Sequence, residues 1–277
     1  MNVKSLAVRP ARLGAKAWRI PRLPPVAISR LAVPLLLPVA VLILWQITTA
    51  RGWLSPQTLP APAVVLSTLI DLIRDGEIAR NLQISLRRIL VGLAIGTSLG
   101  LLFGALLGVS RRMNDYFGPI INALSQIPSL GWVPILILIF GLDETVKYLI
   151  IAKACFVPSV LATAQGIRNI PRAYIEVGQV LGLRRRTTLT KLIVPAALPT
   201  IFGGVRLALS SAWVALIVVE MLAATEGVGY MMVWGRTLFQ VDIVIAGMIV
   251  IGVIGLAMDS ALARVERYMR RWEPENV

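Results

Sequence analysis

The chain has 277 residues, of which 57% are hydrophobic and only 15% charged, with a mean hydropathy of +0.77; a water-soluble domain carries about a quarter charged residues, so lipid is the expected solvent. The formal net charge of +14 does not form a basic face, because the arginines fall in loops between long apolar runs, and this excludes a nucleic-acid groove surface. The absence of histidine removes the commonest general base and transition-metal ligand, and the single cysteine, Cys155, lies in an apolar run, which excludes a disulfide framework and a Cys-rich metal site.

Residues 1–30 carry seven basic residues and no acid. A secretory signal would continue with ~7–15 apolar residues and a small-residue cleavage site. Instead, 31–50 is a charge-free run of 20 residues, enough at about 1.5 Å per residue to cross a ~30 Å hydrocarbon core. The reading is a basic cytoplasmic tail followed by a retained first transmembrane helix. The next segment, 51–88, is expected on the outer side. Its Leu59-Pro60-Ala61-Pro62 is a rigid turn, and Val65, Leu66, Leu69, Leu72 and Ile73 then form an amphipathic helical stripe.

Five further apolar segments qualify as spans, at 89–109, 117–140, 146–167, 201–224 and 243–263. Uninterrupted runs of this length favour helices, because every backbone group must be satisfied inside lipid. The expected fold is an all-α integral membrane protein of six transmembrane helices, with a core of five at 89–263 and a C-terminal tail at 264–277. With the N-terminus inside, 19 basic residues fall on inner segments and seven on outer ones, which orients both termini to the cytoplasm.

The second span carries Gly92, Gly96, Gly100, Gly104 and Gly108, one glycine on every fourth residue, a stripe along which another backbone can approach. Static packing and a sliding seam both fit it. Its Gly96-Thr97-Ser98-Leu99-Gly100 matches a hydrolase elbow by letter only, since the strand-turn-helix setting and histidine partner are missing. The third span is interrupted by Pro119, Pro128 and Pro134, with Ser129, Gly131 and Trp132 among them. Broken backbone at membrane depth is tolerated where protein or water lines it, and discontinuous helices often border a solute path; a simple packing kink is the alternative.

Lys153 and Glu220 are the costly residues, since a charge inside a span is unfavourable by ~2.5–3.5 kcal/mol unless paired or in a cavity. Counted from the span ends, both fall toward the outer half, at depths where they could meet; snorkelling is the other reading for Lys153. The candidate solute path is Ser129, Trp132, Pro134, Lys153, Trp213 and Glu220. Arg206 is expected near the inner end of the fifth span.

The inner loop at about 168–200 reads Glu176-Val177-Gly178-Gln179-Val180-Leu181-Gly182, then Leu192-Ile193-Val194-Pro195. Its spacing resembles the "EAA" loop of ATP-driven importer permeases, with Val177 and Gly178 in place of the two alanines. The resemblance extends from Leu59 to about Pro274. Phe140-Gly141-Leu142-Asp143-Glu144-Thr145, Gly166-Ile167-Arg168-Asn169-Ile170, Gly204-Val205-Arg206 and Gly227-Val228-Gly229-Tyr230 are similar to the nitrate/sulfonate/taurine branch. Gln240-Val241-Asp242 and Arg271-Trp272-Glu273-Pro274 are most similar to aliphatic sulfonate permeases. Lys153 departs from that branch, where a small residue is expected.

The resemblance implies a type I importer permease fold. It also implies that Glu176, Val177, Gly178, Gly182 and Pro195 belong to a coupling helix docked on a cytoplasmic ATPase. The implied assembly has two permease copies in lipid, two ATPases and an external solute-binding protein, with no catalysis, metal or cofactor in this chain. None of the five lysines follows a glycine, as the Gly-Lys-Ser/Thr of a phosphate-binding loop requires. The competing reading is a self-sufficient carrier driven by an ion gradient, which would be expected to show an internal repeat and embedded coupling carboxylates. An intramembrane enzyme is disfavoured by the missing histidine and nucleophile pairs.

Overall fold

Apolar runs in lipid must satisfy their own backbone groups, and this chain does so with helices. The computed structural model describes residues 27–269 and shows no strand among them; the expected basic tail at 1–26 and the final residues 270–277 lie outside the described residues. The chain divides at residue 47 into two units. Most of α1 (Ala27–Ala50) belongs to the first; it is apolar over Leu36–Ala50, and its Leu36, Leu37 and Leu44 side chains are exposed.

The second unit opens with α2 (Pro62–Arg74), started by a proline whose missing donor costs nothing at a first turn. Then follow α3 (Glu77–Val109), α4 (Arg111–Gln126), a single 3-10 turn at Ser129–Trp132, α5 (Val133–Phe140) and α6 (Glu144–Arg168). On the expected inner side come α7 (Arg172–Val180), α8 (Arg185–Thr188) and a π turn at Leu189–Ile193. The chain continues through α9 (Val194–Ala223), α10 (Val228–Thr237) and α11 (Val241–Met269).

Four helical stretches are long and apolar enough to cross a membrane: Glu77–Val109, Glu144–Arg168, Arg186–Ala223 and Val241–Met269. The expected third span is not one helix. Its two halves, Arg111–Gln126 and Ser129–Phe140, meet at 90°. The cause is Pro128, which forces Ile127 before it into an extended conformation (φ −90°, ψ 111°) and cannot donate to the preceding turn. Pro119 lies within α4 and Pro134 in the first turn of α5, where a proline is tolerated.

The directions of the other helices show that this bent pair must carry the chain back across the layer. Along α3, Gly92, Gly96, Gly100, Gly104 and Gly108 meet Ile151, Ala152, Phe156, Val160 and Ile167 in that order. The numbers rise together, so α3 and α6 are parallel, and the 34 residues from Ser110 to Asp143 must return. Gly204 meets Ala162 and Gly166 meets Thr200, so α9 runs antiparallel to α6. Arg206 pairs with Asp259 while Trp213 approaches Gly255, so α11 runs antiparallel to α9. With α1 added, the arrangement is compatible with the six expected crossings.

The glycine stripe is where the two backbones come closest. A Cβ at Gly96 would overlap the Ala152 carbonyl, one at Gly100 would sit 2.8 Å from the Phe156 carbonyl oxygen, and one at Gly104 would sit 2.6 Å from that of Val160. The core continues from this seam through Ile89, Val146, Ile150, Ile151, Leu216 and Val219, with Cys155 buried inside it. A second departure from expectation concerns 77–88. These residues, placed by their charges in an outer loop, are the first turns of α3, because the charged residue nearest the apolar run, Arg88, is drawn into the protein.

Candidate functional site

Among the described residues, three places group the polar side chains that bear on function. The first surrounds Arg88, which lies four residues before Gly92 and so on the same stripe of α3. Its side chain is only 2% exposed. Two of its nitrogens, Nε and Nη2, donate to Glu144 at 2.9 and 2.6 Å in a bidentate fork; Nη1 donates to Glu220 at 2.8 Å and to the Glu226 carbonyl at 2.6 Å. Lys147 adds a second cation, donating to Glu144 at 2.6 Å. Glu220, 1% exposed, also accepts from Ser85 Oγ at 2.8 and 2.9 Å and from the Gly229 amide at 2.9 Å.

Two cations and two carboxylates thus neutralise one another in a cluster joining α3, α6 and α9, buried at Arg88, Lys147 and Glu220 and open to the outside at Glu144, which is 45% exposed. The loop after α9 is tied to the same cluster. The Gly227 amide donates to Asn81 Oδ1 and the Val228 amide to Ser85 Oγ. This explains Gly227-x-Gly229 physically. Gly227 has φ +113°, and a Cβ there would lie 2.5 Å from Glu220 Oε1 and 2.7 Å from Arg88 Nη1; one at Gly229 would lie 2.7 Å from the Glu220 Cβ. At the rim, Asp143 caps α6 by accepting from the Thr145 amide at 3.4 Å and also accepts from Thr145 Oγ1 at 2.8 Å; this hydroxyl, with nearby amides, holds its carboxyl below the usual range.

Lys153 and Glu220, whose depths allow a meeting, are not paired. Similar depth along two helices does not place two side chains on facing sides, and Glu220 is taken by Arg88 and Ser85 instead. Arg88, Ser85, Glu144 and Lys147 were missed as a group. The signal that could have found Arg88 is its position at the head of the glycine stripe.

Lys153 belongs to the second place, a cavity of about 650 Å³ bordered by the break between α4 and α5, by α6 and by α9. Its Nζ donates to the Ile127 carbonyl at 2.9 Å, an acceptor freed by the 90° break, and lies 5.5 Å from the centre of the Trp132 ring. Among the described residues no carboxylate lies within 4.0 Å of this ammonium. Ser125, Ser129, Gln165 and Ser211 add polar groups to the wall, and Leu124, Leu161, Leu207 and Val214 line the rest.

Of the six proposed path residues, Ser129 and Lys153 border this cavity, and Trp132 contacts Lys153 without bordering it. Trp213 lines a separate shallow pocket between α9 and α11, beside Gly255 and Asp259. Pro134 is exposed in α5 and Glu220 is sealed in the ion cluster. Arg206 forks to Asp259 with Nε at 2.6 Å and Nη2 at 2.7 Å.

The third place is α7 and the turn that ends it. The Leu183 amide donates to the Gly178 carbonyl and the Gly182 amide to that of Gln179, both at 3.0 Å, closing the helix around Gly182 at φ +61°, a conformation that favours glycine. Gly178 is buried, and a Cβ there would press Leu192 Cδ1 at 3.1 Å. Glu176 is exposed, and Val180 and Leu181 are 86% and 66% exposed, a helix end with apolar side chains held in the open. Val177 lies within α7. Pro195 follows the π turn, where the Val194 amide reaches back five residues to the Leu189 carbonyl.

The family described as "Binding-protein-dependent transport system inner membrane component" matches residues 96–271. The "Putative aliphatic sulfonates transport permease protein SsuC" of Bacillus subtilis (strain 168) is 39% identical over 238 residues, covering 86% of each chain. The protein of the same description from Escherichia coli (strain K12) is 37% identical over 241 residues, covering 87% of this chain and 92% of the relative. Among solved structures, one of inward-facing conformations of the MetNI methionine ABC transporter superposes with a TM-score of 0.59 over 70% of this chain and 96% of that one, at 16% identity; this likeness shows the fold.

Proposed function

Because the chain belongs to the family of binding-protein-dependent transport system inner membrane components, we propose that it is the subunit through which a small organic anion crosses the bacterial inner membrane. Both termini face the cytoplasm in this reading. The solute is an aliphatic sulfonate, ahead of taurine or nitrate, in keeping with the SsuC relatives and the lone cation in a largely apolar cavity. An external binding protein delivers it, and two cytoplasmic ATPases drive a pair of these permeases. No bond of the solute is made or broken.

The observation that carries this reading is α7, a short helix with an exposed acid and exposed apolar residues at its end, closed by a left-handed glycine. Such a helix fits a groove on a partner. Gly178 packs on Leu192, and helical structure runs on from Arg186 to Ala223. A push on α7 is therefore passed to α9, whose Leu207, Ser211 and Val214 border the cavity. The π turn before Pro195 is the soft point, since its wider ring and the missing proline donor leave the helix least tightly bonded there. Gly92 to Gly108 supply a smooth track on which α3 and α6 adjust as the cavity changes its opening.

The test is sulfonate uptake in a strain deleted for this gene and complemented with Glu176→Lys or Gly182→Asp. Either change puts wrong charge or bulk on the docking helix, so ATP-dependent uptake is lost while the protein stays at normal level in the membrane. Normal uptake by both variants would overturn the assignment of α7.

A further inference from the structure

We propose that Lys153 is the cation of a solute-binding site within the permease itself, selecting small organic anions that carry an apolar tail. The inference deepens the reading of the chain as an importer of anions and rests on it. Three observations support it. The first is the contrast among membrane-depth cations: Arg88, Lys147 and Arg206 each have a carboxylate within 3 Å, whereas Lys153 bonds a single carbonyl and has donors to spare. An ammonium at this depth is costly unless something compensates it, and among the described residues no carboxylate pairs with it.

The second is the setting. The ammonium borders a cavity of about 650 Å³, within the ~300–1,000 Å³ range of small-molecule sites, with the hydroxyls of Ser129 and Ser211 and the amide of Gln165 on the same wall. The Ser129 hydroxyl and the Gln165 amide are donors that sulfonate oxygens accept from, whereas Ser211 Oγ donates to the Leu207 carbonyl at 2.9 Å and offers its lone pairs to the wall. The third is the remainder of the wall, where Leu124, Leu161 and Val214 offer an alkyl chain a surface and an inorganic anion nothing. The Ile127 carbonyl and the Trp132 ring hold the ammonium at the cavity edge, so it is positioned before the solute arrives.

The test is calorimetric titration of the full-length chain in lipid nanodiscs, free of partner proteins, with sodium hexanesulfonate, hexanol and sodium nitrate. Hexanesulfonate is expected to bind, with hexanol and nitrate each weaker by about tenfold or more. Lys153→Ala should weaken hexanesulfonate by about tenfold, the equivalent of ~1.4 kcal/mol, and Lys153→Arg should keep it within about threefold. Gel filtration of Lys153→Ala confirms that the variant is folded. The site is refuted if the parent does not bind hexanesulfonate, if hexanol binds as well, or if folded Lys153→Ala binds as tightly as the parent. Loss of ATP-driven uptake in the Glu176→Lys variant reports on the proposed function separately, because that variant should bind hexanesulfonate normally.

Discussion

Arg88 and Lys153 are both cations in helices of one bundle, and they are treated in opposite ways. Arg88 is held by two carboxylates, a loop carbonyl and the close approach of Gly227, with a second cation to balance the charge. Lys153 borders open space, held by one carbonyl at a break in the helical layer. A fully matched buried charge costs little to keep and a great deal to disturb, because removing one partner strands the other. A charge left unmatched beside a cavity does little for stability and remains available to a ligand. The first arrangement builds a rigid corner and the second leaves a function.

The largest effect should come from Arg88→Ala, which leaves Glu220 buried without its cation. About 3–5 kcal/mol of stability is expected to be lost, read as a lower unfolding midpoint of purified protein or as its disappearance from the membrane. A normal midpoint would break the comparison at once. Next is Gly227→Ala, which sets a Cβ against Glu220 and Arg88 on backbone that strains any side chain; about 1–3 kcal/mol is expected. Gly131→Ala, near the cavity, meets nothing within 4 Å and should leave the midpoint unchanged. Lys153→Ala should change stability by less than about 1 kcal/mol, even though it removes anion binding. A similarly small effect is expected of Arg80→Ala, at the exposed rim of the cluster, where the ion pair with Glu226 contributes about 0–1 kcal/mol.

The same contrast marks what could be read from the residues alone. The spans were legible because a bilayer sets a minimum apolar length, and four helices meet it. The glycine stripe was legible as an (i, i+4) row, although its partner, α6, was not. In the segment between α6 and α9, Glu176, Gly178, Gly182 and Pro195 stand out through the resemblance of their spacing to the "EAA" loop, and the structure adds why glycine occupies 178 and 182. Less legible were contacts between residues distant in sequence. Arg88 meets Glu220 across 132 positions, and counting charges toward loops placed Arg88 outside the bundle. Depth along their helices allows Lys153 and Glu220 to meet, but depth contains no information on which way a side chain faces. The prolines announce a break, while its 90° angle follows from the extended backbone of Ile127, which composition does not give.

The most direct test of the central claim is reconstitution of this chain in liposomes, with and without an ATPase and a binding protein, followed by measurement of labelled hexanesulfonate inside. Accumulation is predicted only when both companions and ATP are present. Accumulation against a gradient by the chain alone, driven by protons or sodium, would contradict the account.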